Sequence, residues 1–118
     1  MPLASTLIAA GLHTTQISPG SVAVGLTAAG ASQATALVLR DEVNIIGTAA
    51  ASTGVLLPQS GVGDDIAVVN GGANAVLVYP PVGHQINNLA ANAGYSLAVA
   101  KAARCLRVSE TRWVVIAA

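Results

Sequence analysis

Few side chains in this sequence can carry chemistry. Two histidines (His13 and His84), one cysteine (Cys105) and two acidic pairs (Asp41-Glu42 and Asp64-Asp65) are the main candidates. A nucleophilic triad needs a histidine beside a serine and an orienting carboxylate. Neither histidine lies in such a context, and Ser52-Thr53-Gly54 and Ser60-Gly61 read as turns. His84 follows Pro80-Pro81-Val82-Gly83 and reads as a loop residue that hydrogen-bonds locally or across a subunit interface. Adjacent carboxylates on a strand point to opposite faces. Glycoside hydrolysis needs two that face one another, which would require the fold to bring Asp41 near Asp64. Each pair reads instead as a solvated turn. Residues 61–65 offer two carboxylates where a calcium loop wants several oxygen ligands. Gly61-Val62-Gly63 lacks the lysine and hydroxyl of a phosphate loop. A single cysteine excludes an internal disulfide and any multi-cysteine metal site, and inside a strand pattern it reads as a small buried hydrophobe. The reading is therefore of a non-enzyme, with no catalytic residue, no cofactor and no metal.

Lys101, Arg104, Arg107 and Arg112 fall within the last 18 residues. They could form a small basic patch, but the favoured reading is that they keep a sheet soluble and blunt an edge strand. The 118-residue chain carries five charges of each sign, 8% of its residues, against roughly 25% in an average domain. Residues 1–39 and 66–100 carry none. A neutral chain lacks the basic face that nucleic acid requires, so no nucleic-acid partner is expected. A surface so poor in charge favours association, so burial against copies of itself or a larger assembly is expected. The uncharged stretches are broken throughout by Gly, Asn, Gln, Ser, Thr or Pro, unlike a run of about 20 apolar residues that would span a bilayer. No basic residue precedes the apolar run at residues 7–10, so neither a signal peptide nor a membrane partner is expected.

The elements that must position these residues are short. Alanine, valine and glycine dominate, there is no Phe, and Tyr79, Tyr95 and Trp113 are the only aromatics. Runs rich in β-branched residues at 21–27, 34–39, 43–46, 55–58, 66–69, 75–79 and 84–87 read as strands separated by turn residues. Residues 70–74, Asn-Gly-Gly-Ala-Asn, read as the turn of a hairpin joining 66–69 to 75–79. Residues 96–100 lead into a second hairpin, 103–108 with 112–116 around Ser109-Glu110-Thr111; Arg104, Leu106 and Val108 share one face, Cys105 and Arg107 the other. Residues 3–12 could form a short helix. Alanine content alone would permit a helix over 90–106, against which stand Gly94, Ser96 and Val99. Alanine-rich junctions recur at a loose spacing too irregular for a solenoid. The prediction is an all-β chain: a small antiparallel β-sandwich or barrel-like domain over residues 21–118, preceded by an arm at 1–20. Trp113 is expected as an anchor in the core or at a subunit interface.

Residues 68–87, Val-Val-Asn-Gly-Gly-Ala-Asn-Ala-Val-Leu-Val-Tyr-Pro-Pro-Val-Gly-His-Gln-Ile-Asn, carry a resemblance. The pattern resembles a β-rich module of tailed-bacteriophage virion proteins, in which a strand ends in Asn, turns through a Gly/Ala/Asn loop and returns through Val-Tyr-Pro. Its motif positions here are Asn70, Gly71, Gly72, Asn74, Tyr79, Pro80, Gly83, Ile86 and Asn87. Residues 26–37 and 54–58 and the late Trp113 are also similar to it, so the likeness spans residues 25–116. The resemblance implies an accessory capsid decoration (cement) protein or short head fibre on the virion exterior, made in the host bacterial cytoplasm. It implies a homotrimer bound to the major capsid protein, with residues 1–20 as the arm gripping the shell. The alternative it leaves is a tail-fibre or carbohydrate-binding module for a host surface.

Overall fold

The computed structural model describes residues 21–117, and these are all-β. The expected arm at 1–20 and helix at 3–12 lie outside the described residues. Ten strands follow in order: β1 (Val22–Thr27), β2 (Leu37–Val38), β3 (Val43–Thr48), β4 (Gly54–Leu56), β5 (Asp65–Asn70), β6 (Val76–Tyr79), β7 (Gln85–Ile86), β8 (Tyr95–Leu97), β9 (Ala102–Arg107) and β10 (Arg112–Ala117). They form a six-stranded sheet, β1-β3-β5-β9-β10-β7, and a four-stranded sheet, β2-β4-β6-β8. Through β8 the chain alternates between the two sheets, so successive strands lie across the core from one another.

This winding corrects the antiparallel expectation. Five of the eight strand pairs among the described residues are parallel. Parallel neighbours need a crossover of a dozen or more residues, and here each strand of the opposite sheet lies within that crossover. Val22, Val43 and Ala67 are in register at separations of 21 and 24 residues; Leu37, Val55 and Val78 at 18 and 23. The stacking is solenoid-like although no sequence repeat announces it. The expected hairpin of residues 66–79 is also corrected. β5 pairs with β3 and β9, while β6 pairs with β4 and β8. Residues 70–75 therefore turn a corner between sheets. The C-terminal hairpin forms as expected, with Val115 opposite Cys105. Residues 90–106 hold β8, a turn and the start of β9 rather than a helix.

Alternation fixes the core. Ile66 and Val68 on β5, Ala103 and Cys105 on β9, and Trp113 and Val115 on β10 point inward from the large sheet. Val55, Val76, Val78 and Leu97 meet them from the small one, and all belong to one apolar cluster. Full burial of a Val, Leu or Ile side chain contributes about 1.5–3 kcal/mol, so this cluster supplies most of the drive for folding. Of the two places expected for Trp113, the ring takes the first: it is fully buried in the core of the single chain.

Candidate functional site

The motif asparagines are corner braces. Asn70 ends β5 and is fully buried. Its Nδ2 donates to the carbonyls of Asn74 (2.9 Å) and Leu97 (3.0 Å), and its Oδ1 accepts from the Gly72 amide (3.0 Å). The Gly71 amide donates to the Ile46 carbonyl at 2.8 Å. Buried backbone groups that leave a ladder must find partners, and one amide side chain supplies them at this corner. Asn74 Nδ2 donates to the Ala49 carbonyl (2.9 Å), tying the corner to the preceding turn of the chain. Asn87 extends the edge beyond β7: its Oδ1 accepts from the Val115 amide (3.0 Å) and its backbone amide donates to the Trp113 carbonyl (2.9 Å).

The remaining motif positions have separate local roles. Tyr79 is buried between two glycines: a Cβ on Gly54 would lie 2.7 Å from Tyr79 Cε2, and one on Gly94 would lie 3.0 Å from Cε1. The Pro80 carbonyl accepts from Gln33 Nε2 (2.7 Å), and the Gly83 amide donates to Asn92 Oδ1 (2.6 Å). Ile86 is fully buried. These residues lie close in sequence and work in local architecture. They do not converge on a cleft.

The candidate chemical residues also have structural partners. His84 is buried, and its Nδ1 accepts from Trp113 Nε1 at 3.1 Å. Burial first, then the nearby Arg107 charge, holds its pKa below the ordinary value. Cys105 is buried, and desolvation with the Asp65 charge pushes its thiol up to about 12, which leaves it without thiolate character at neutral pH. Asp64 Oδ2 accepts from the Gly61 amide (2.7 Å), and Asp65 pairs with Arg104 on the outer face of the large sheet. His13 lies outside the described residues. Among the described residues, no three of His, Cys, Asp and Glu gather as a metal site, and no helix is long and apolar enough to cross a membrane.

The four basic residues disperse. Arg107 points away from Arg104 and donates to three backbone carbonyls, those of Ser60, Ser109 and Glu110. It staples the 57–64 loop to the β9–β10 turn. Charge alone marks Arg107 as solubilising; the staple depends on carbonyls that only the fold brings together. Arg112 reaches Asn88 Oδ1 (3.4 Å). Lys101 borders a cleft of about 280 Å³ lined also by Tyr95, Ser96, Leu97, Ala98 and Ala117.

The most distinctive surface is the outer face of the large sheet. Val22 and Val24, Val43 and Ile45, Ala67 and Val69, Ala102 and Leu106, and Val114 and Ile116 point outward from its five long strands. Val22, Val24 and Ile116 are each more than 60% exposed. Apart from Arg112 at the margin, the Arg104–Asp65 pair is the charge on this face. Five strands of six residues span roughly 24 by 20 Å at ordinary strand spacing and rise. That footprint, about 480 Å², is in the range of the largest apolar patches on monomers, about 300–600 Å², which are often functional. Sequence alternation does not single out this face, because inward and outward positions are both apolar.

No family model matches the chain, and no curated protein or solved structure matches it.

Proposed function

We propose that this chain is an accessory structural protein of a phage virion, a decoration (cement) protein or short head fibre that binds the outer capsid shell and stabilises it. In this reading it is a trimer of two-layered β domains, and its partners are its own copies and the major capsid protein. The apolar outer face of the large sheet carries the proposal. A chain with 8% charged residues that presents such a face suits a permanent assembly. The virion resemblance of residues 25–116 supplies the context. The mechanism is mass action: a protein that binds only the assembled shell stabilises it.

The test uses purified capsids lacking the protein. Added chain should bind them and raise their melting temperature, and light scattering should give a native mass near three times 11.6 kDa. Replacing Ile116 and Leu106 together by Lys, both on exposed positions of the outer face, should lower the native mass without unfolding the chain. A monomer that ignores capsids overturns the proposal. The Tyr95 cleft favours one second reading, a host-surface carbohydrate site. Tyr79 and Trp113 are buried and offer no stacking platform, so binding on a glycan array that is lost in Tyr95→Ala would support it.

A further inference from the structure

Asn70-Gly71 is the one Asn-Gly step in the chain. Such a step can undergo an intramolecular reaction. The Gly71 backbone nitrogen, after losing its proton to solvent base, attacks Cγ of Asn70. A C–N bond closes a five-membered succinimide, the Cγ–Nδ2 bond breaks, and Nδ2 leaves as ammonia. Water then opens the ring at either carbonyl, giving aspartate or isoaspartate. The net change is asparagine plus water to acid plus ammonia, with no redox step.

We propose that Asn70-Gly71 is a deamidation site gated by folding: closed in the native chain, open once it unfolds, and a bar to refolding after it has reacted. The closure is geometric. The proton that must leave the Gly71 nitrogen is held by the Ile46 carbonyl at 2.8 Å. The leaving Nδ2 is held by two carbonyls, those of Asn74 and Leu97. Asn70 has no exposed surface through which water could reach Cγ. The Gly72 amide on Oδ1 would polarise the side-chain carbonyl by itself, but that activation is useless without a free nucleophile. Unfolding releases all four restraints together.

The bar to refolding follows from the same contacts. An acid at position 70 presents oxygen to the Asn74 and Leu97 carbonyls, where the amide presented N–H. An ionised carboxylate there is buried without a counter-charge, which is strongly unfavourable. Isoaspartate also inserts a methylene into the main chain at the corner. Deamidation therefore converts transient unfolding into permanent loss, the irreversible route by which many proteins are inactivated.

The experiment incubates the full chain at mildly alkaline pH with and without concentrated urea, with Trp113 emission reporting unfolding. Peptide mapping by mass spectrometry follows the segment holding Asn70. Conversion should be at least about tenfold slower in the folded chain, because reaction waits on opening. After urea removal, modified chains should be absent from the fraction that regains native emission. Asn70→Asp, the product in pure form, should be largely unfolded at neutral pH and gain structure as the pH falls toward its carboxyl pKa. Equal rates in both conditions, no conversion at Asn70 in urea, or modified chains that refold beside unmodified ones would each overturn the proposal.

Discussion

Protonation of His84 should destabilise the fold, and Trp113 makes the effect measurable. The Trp113 indole N–H donates to His84 Nδ1, which requires neutral imidazole with its proton on Nε2. Burial and the Arg107 charge both favour that neutral form, so the folded pKa lies below the ordinary 6.5. In the unfolded chain the imidazole titrates normally. As pH falls through 6.5 the unfolded state gains a proton that the folded state resists, and stability drops. The contribution is fully present above pH 6.5 and is lost as pH falls toward the folded pKa. His84→Asn tests the origin, because Oδ1 can accept from the indole but does not titrate. Trp113→Phe tests the bond itself. It leaves a buried acceptor unpaired, costing about 1–3 kcal/mol, and a void of roughly 40 Å³ worth about 1 kcal/mol. The expected total is about 2–4 kcal/mol. Urea denaturation followed by circular dichroism at several pH values from 8 to 5 compares the three proteins. The wild type should lose more stability than His84→Asn across this range. Parallel loss in both, or a Trp113→Phe cost below about 1 kcal/mol, would refute the reasoning.

Three further outcomes follow from the core. Asn70→Ala strips partners from two fully buried backbone groups and one partly buried group; at about 1–3 kcal/mol for each buried group it should cost about 2–6 kcal/mol in urea denaturation. Cys105 should resist a thiol reagent such as Ellman's in the folded chain and react fully in urea, because burial holds the thiol up to about 12. Gly54→Ala drives a Cβ to 2.7 Å from both the Leu77 carbonyl and the Tyr79 ring; overpacking of this kind costs about 1–3 kcal/mol, and Tyr79→Leu in the same chain should recover part of the loss in thermal melts.

The strands were legible because β-branched runs and turn residues are local signals. The β9–β10 hairpin was legible for the same reason: Ser109-Glu110-Thr111 separates two short apolar-rich runs. The 66–79 segment was not. Asn-Gly-Gly-Ala-Asn suits a hairpin turn and a corner between sheets equally well. What decides is remote: the Leu97 carbonyl that receives Asn70 and the Ala49 carbonyl that receives Asn74. The winding was hidden similarly, since only the inward alternation recurs between turns and a residue-by-residue repeat does not. The motif pattern named the structurally important asparagines without saying what they do. The apolar outer face was legible only as a general shortage of charge.

The order of strands in the large sheet also has a temporal meaning. β7 pairs with β10, so Ile86 waits for Trp113, 27 residues further along. β5 has no antiparallel neighbour until β9 exists. A chain emerging from the ribosome can begin winding its first turns, but the largest side chain of its core arrives on the last strand. Contacts this distant in sequence make for slow closure. Until β9 and β10 dock, the nascent chain holds an uncovered β5, an open β7 and a core without its tryptophan, and in that interval it is most exposed to mispairing with its neighbours.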